Sequence, residues 1–148
     1  MDIYEEAVLN YITSNSNRFV NPQFNIEWNK ENKTGGSLPD FVVLDFAKQT
    51  IYIVEVTKAY DIKNLLSKVE QRQKRWIEPV RESLDDFFKN WEFHVTLFLR
   101  DEKVEYALNK TRNYHKEVSI ISLKNINCFL GNANFEEDSI LQTYNKAE

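Results

Sequence analysis

Glycine is nearly absent from this 148-residue chain, which holds only Gly35, Gly36 and Gly131. A phosphate-cradling Walker loop and a dinucleotide fingerprint each need several glycines at fixed spacing, so neither can be assembled. No Gly-x-Ser-x-Gly elbow is present to carry a hydrolase serine. The single cysteine, Cys128, cannot form an internal disulfide, which excludes a disulfide-stapled scaffold and makes a cytoplasmic or otherwise intracellular setting the expectation. His94 and His115 stand too far apart in sequence to join Cys128 in a structural zinc site. No apolar run approaches the roughly 20 residues that span a bilayer. The acidic start, Met1 to Glu6, also lacks the basic-then-apolar layout of a signal peptide, so no membrane partner is expected.

Hydrophobic residues at 42% and aromatics at 14% suffice for one core, and the length suits one domain. That domain is expected over residues 1–130, followed by an acidic tail over 131–148. Lys and Arg number 19 against 23 Asp and Glu, a net charge of −4. Such a balance excludes coating of nucleic acid by bulk charge but leaves room for a local basic face.

Ile3, Tyr4, Ala7, Val8, Tyr11 and Ile12 recur at a helical period, and Ser14–Asn17 stops that helix. Phe24–Trp28 alternates apolar and polar residues and predicts a half-buried strand. Phe41–Phe46 and Ile51–Val56 are β-rich runs separated by Ala47–Thr50, so a hairpin joins them. Asp61–Ile77 returns to a helical period, with Asp61 as N-cap and an end or kink at Glu78–Pro79. Val80, Leu84, Phe87 and Phe88 extend that face. Trp91–Leu99 predicts a strand, Asp101 caps a helix that frays near Tyr114–His115, and Val118–Ile121 predicts a last strand. The order is helix, strand, strand, strand, helix, strand, helix, strand. This is an α/β fold with a mixed sheet and helices on its faces.

Residues two apart on a strand share a face, so Ile51, Ile53, Glu55 and Thr57 lie together, as do Asp40, Val42 and Leu44. A turn centred on Ala47–Lys48 sets Asp40 opposite Glu55. A two-residue slip sets it opposite Thr57 without changing faces. Two acids therefore meet at the end of an apolar hairpin. A buried acid is costly unless it is paired or binds metal, and oxygen ligands of this kind suit Mg²⁺ or Mn²⁺. Frayed hairpin ends with solvated acids are the other outcome of the same spacing.

Leu38-Pro39-Asp40, followed 15 residues after the Asp by Glu55 within Ile53-Val54-Glu55-Val56-Thr57, resembles the PD-(D/E)XK nuclease superfamily. The resemblance extends from the first helix through Ile121 and implies a restriction-endonuclease-like core. It further implies a metal-dependent nuclease acting on DNA or RNA, an endonuclease before an exonuclease, with Asp40 and Glu55 as catalytic metal ligands. The Val56 carbonyl would be a further ligand. The first helix normally adds an acid: Glu5, which shares its stripe with Val8, Leu9 and Ile12, is preferred over Glu6. One position departs from the pattern, since Thr57 stands where the superfamily has its strand lysine. In cap-snatching-type and some retroelement-type endonucleases the pattern is similarly altered, which points to Lys68 on the following helix. Lys58 lies on the opposite strand face, and Lys63 on another helix face. Thr57 would hydrogen-bond to the phosphate or to groups around the metal.

From Lys58 to Arg81 seven basic residues face three acidic ones, so this stretch is positive within a negative chain. Gln71, Arg72 and Arg75 are its candidate substrate contacts. The expected partner is nucleic acid, with a homodimer or a place in a larger nuclease assembly as further expectations. The missing strand lysine also admits a catalytically inactive nuclease-fold module that binds nucleic acid or protein. DNA and RNA are not distinguished by these residues.

Overall fold

The β-rich runs in the middle of the chain pair as β2 (Phe41–Asp45) and β3 (Thr50–Thr57), antiparallel, with Phe41 abreast of Val54 and Asp45 abreast of Thr50. The computed structural model describes residues 1–129. The expected acidic tail, 131–148, lies outside the described residues. Around the hairpin stand α1 (Ile3–Thr13), β1 (Arg18–Pro22), α2 (Lys63–Glu70), α3 (Glu78–Ser83), β4 (Glu92–Leu99), α4 (Asp101–Lys110) and β5 (Val118–Ser122). The five strands form one mixed sheet in the order β1-β2-β3-β4-β5. The first three are antiparallel, and β4 and β5 run parallel to β3 through helical crossovers. No described helix is long and apolar enough to cross a membrane.

Alternation along the central strands divides the core in two. Val42, Ile51, Ile53, Val95, Leu97 and Leu99 face α2, α3 and α4, whose Leu66, Val69, Val80, Val104 and Ala107 pack against them. Phe41, Val43, Tyr52, Val54, Phe98 and Ile121 face α1 through Val8, Tyr11 and Ile12. The central strands are covered on both sides, which is why they read as nearly continuous apolar runs.

Several expectations are corrected. Phe24–Trp28 is not a strand. It is one side of a loop closed by single bridges, Ile26 with Ser37 and Asn29 with Thr34, that buries only Ile26 at its centre. The strand in that part of the chain is β1, held at the sheet edge where Arg18 Nε donates to Asp45 Oδ2 at 3.0 Å. Asp61 does not cap the second helix. Ile62 occupies the cap position, and Asp61 Oδ1 accepts from the Lys63 N–H instead. Nor is Asp61–Ile77 one helix, because α2 ends at Glu70 and a π-helical turn spans Gln73–Ile77 before Pro79 opens α3. Leu84 is extended, so the helical face stops at Ser83 and Phe87 and Phe88 fall in a separate 3₁₀ turn. Arg100, not Asp101, is the cap position of α4. Asp101 is its first residue and accepts from Ser122 Oγ at 2.9 Å.

Candidate functional site

Pro39 is buried and hands the chain to Asp40, the residue just before β2. The antiparallel register, continued by one residue, sets Asp40 abreast of Glu55 on β3. The Val56 N–H donates to Asp40 Oδ2 at 2.7 Å, which ties the Asp40 carboxylate to the end of β3. Glu55 follows Ile53 on the face covered by α2, and Lys68 on α2 is near enough for its charge to act on Glu55. The first turn of α1 reaches the same end of the sheet from the other face. Its Glu5 is half-buried, whereas Glu6 is exposed.

Glu5 has a structural task as well. Its N–H donates to Asp2 Oδ1 at 2.8 Å, and the Asp2 N–H donates to Glu5 Oε2 at 2.9 Å, a reciprocal cap that fixes the start of α1. The same carboxylate interacts with Asp40 by hydrogen bonding and by charge.

The electrostatics follow from crowding acids where water is scarce. Burial pushes the Asp40 carboxyl up to about 6, against the pull of the Val56 N–H, and the Glu5 carboxylate adds to the rise. Burial pushes Glu55 further, up to about 8, helped by the Asp40 charge and opposed by Lys68. With Glu55 raised the further of the two, it is the Glu55 carboxyl that keeps its proton at neutral pH beside an ionised Asp40. Among the described residues no three His, Cys, Asp or Glu side chains already stand as a preformed metal cluster. The donor set is therefore the two acids, with Glu5 beside them and the Val56 carbonyl on the same strand end.

Thr57, half-buried, follows on β3, and its Oγ1 accepts from the Ala59 N–H at 3.1 Å. Lys58 is exposed, with Nζ 5.2 Å from the centre of the Tyr4 ring, and Lys63 is exposed at the start of α2. Gln71 is exposed where α2 ends, and Arg75 is half-buried in the π-helical turn. Arg72 is buried. Its guanidinium pairs with Glu117 just before β5, donates to the Val69 carbonyl and stacks 4.4 Å from the Tyr114 ring centre. These protein groups thus already engage Arg72, one of the expected substrate contacts. His94 is buried against Ser119 at 2.7 Å, and His115 is exposed beside the Arg112 carbonyl.

Clefts of about 620 and 630 Å³ lie away from the acids, one under the 25–34 loop and one at the opposite end of β3 and β4. We place the site at the acids, because chemistry and not hollow volume distinguishes it. The acids occupy the end of the sheet at which β3 and β4 finish, where residues following parallel strands gather. That rule is the signal by which Lys58, after β3, and Arg100, after β4, could have been singled out from the sequence.

Comparison with protein-family models, with curated proteins and with solved structures finds no match to this chain.

Proposed function

We propose that this chain is a metal-dependent nuclease, built on a restriction-endonuclease-like core, that hydrolyses phosphodiester bonds. The observation that carries the reading is the meeting of Asp40 and Glu55 across the β2–β3 hairpin, with Lys68 acting on Glu55 from α2. The strand order, three antiparallel strands followed by two parallel crossovers, supports it.

The residues fit a hard divalent cation. Two crowded carboxyl groups with raised proton affinity gain most when a cation replaces the Glu55 proton. Asp40, Glu55 and the Val56 carbonyl would hold Mg²⁺ or Mn²⁺, with Glu5 beside Asp40. When bound, the ion supplies charge stabilisation at the scissile phosphate and lowers the pKa of an attacking water. Lys68 serves from the helix where the strand offers Thr57, placing an ammonium near Glu55 and the developing phosphate charge. Thr57 adds a hydroxyl beside the phosphate path.

Labelled single- and double-stranded DNA and RNA, incubated with Mn²⁺, Mg²⁺ or EDTA, test the reading. Cutting that needs metal and disappears in both Asp40→Ala and Glu55→Ala is the expected result. Thr57 at the strand lysine position favours a second reading, an inactive nuclease-fold module that binds nucleic acid or protein. Binding without cutting under every metal condition would select it.

A further inference from the structure

Beside the acids, the ends of β3, β4 and β5 and the start of α1 enclose a groove of about 420 Å³ that includes Tyr4, Lys58, Arg100 and Lys124. Its rim carries two aromatic side chains with free surface: Tyr60 is 65% exposed and Tyr4 is 38% exposed. Each has a cation held near it. Lys103 Nζ lies 4.0 Å and the Arg100 guanidinium 5.6 Å from the Tyr60 ring centre, and Lys58 pairs with Tyr4. The acidic residues within the groove are Asp101, which accepts from Ser122 Oγ, and Glu102, which pairs with Arg100. Lys58, Arg100, Lys103 and Lys124 outnumber these two acids, so the groove is net positive in a chain of net charge −4. Arg100 also donates to the Lys58 carbonyl at 3.3 Å, which joins the ends of β3 and β4 on which these groups stand.

The geometry points to a subsite for single-stranded nucleic acid, in which bases stack on Tyr60 and Tyr4 and the backbone runs past Lys58, Arg100, Lys103 and Lys124 towards Asp40 and Glu55. It rests on the nuclease reading for what happens at the acids, but not for binding. A duplex hides the faces of its bases and offers only phosphates to a surface. An unpaired strand offers a free base face beside each phosphate, which is what paired aromatic and cationic side chains recognise. Lys58 lies three residues after Glu55, and Tyr4 directly precedes Glu5, so groove and acids are continuous along two elements.

Fluorescence anisotropy in EDTA, with labelled 12-nucleotide oligo-dU, oligo-U and a mixed-sequence duplex, separates binding from cleavage. Both single strands are expected to bind at least about tenfold more tightly than the duplex, and the ratio between them names the sugar preferred. Tyr60→Ala should weaken single-strand binding roughly ten- to hundredfold, the effect of losing one stacked base. Lys103→Gln should weaken it and flatten its salt dependence. Both side chains lie at the rim, and an unchanged Tm in each variant excludes misfolding as the cause. Equal affinity for duplex and single strands, or unchanged binding in folded Tyr60→Ala, would overturn the subsite even if metal-dependent cutting is found. Absence of cutting alongside Tyr60-dependent binding would overturn the nuclease reading and leave the subsite standing.

Discussion

Glu55 concentrates the chemistry of this chain in one side chain. Its carboxyl is pushed up to about 8 and that of Asp40 to about 6, so the folded protein keeps protons that the unfolded chain has released above about pH 4.5. Where the folded state binds more protons, stability falls as pH rises. Thermal melts in EDTA should therefore show Tm dropping between pH 5 and pH 8. Glu55→Gln should flatten that slope and raise Tm at pH 8, because a neutral amide has no proton to lose. A slope unchanged in Glu55→Gln would mean that the acids are not coupled as described. Cations compete with the Glu55 proton, so Mn²⁺ should raise Tm more at pH 8 than at pH 6. Lys68 opposes the rise of Glu55, and Lys68→Met should push the Glu55 carboxyl higher still. We expect cleavage to fall by roughly 10²-fold or more in that variant, with partial recovery in Lys68→Arg.

At the scale of elements, the position of Asp40 depends on how the long 23–38 loop is tied down. The Gly35 N–H donates to the Lys74 carbonyl at 2.8 Å, and Trp76 Nε1–H donates to Ser37 Oγ at 2.7 Å, both into the π-helical turn. The wider turn brings Trp76, fully buried, under the loop that leads to Pro39 and Asp40. Gly35 has φ +82°, and a Cβ there would lie 2.0 Å from the Glu27 carbonyl oxygen. Gly35→Ala should lower Tm and reduce cleavage together, since the loop must shift and carry Asp40 with it. Limited proteolysis of the 23–38 loop would report the same loosening. This element also marks how far the sequence could be read. The β2–β3 hairpin was legible because Ile51, Ile53 and Val42 alternate with residues that face the second core, so only an even register keeps both faces apolar. The alternation in Phe24–Trp28 is equally good, yet nothing local distinguishes a strand from a loop that inserts one isoleucine. The π-helical turn was not legible either, because Trp76 meets Ser37, which lies 39 residues earlier.

Across the whole molecule, the sheet edge shows why β1 escaped the sequence reading. Arg18 and Pro22 look like loop residues until Arg18 meets Asp45, a partner 27 residues away and fully buried. Asp45→Ala should cost about 3–5 kcal/mol in urea denaturation, because it leaves Arg18 charged in a dry setting. Replacing both partners by apolar residues should recover much of that loss. The geometry of the candidate site was legible where its members follow strand and helix periods: Asp40, Glu55, Glu5 and Lys68 stand near enough for their charges to interact. Helical spacing gave no hint that Arg72 pairs with Glu117, which stands just before β5. The cationic groove went unseen because it draws on the residues that follow β3 and β4, which only the parallel pairing of those strands brings together.

The claim that Asp40 and Glu55 hold a catalytic cation with Lys68 is tested most directly by one cleavage series. Wild type, Asp40→Ala, Glu55→Ala and Lys68→Ala are incubated in parallel with single- and double-stranded DNA and RNA, in Mn²⁺, Mg²⁺ or EDTA. The account predicts metal-dependent cutting by wild type, its loss in both acid variants and a strong reduction in Lys68→Ala, with all four proteins folded. Cutting that persists in EDTA or in folded Asp40→Ala, or a wild type that neither cuts nor gains Tm with metal, would contradict it.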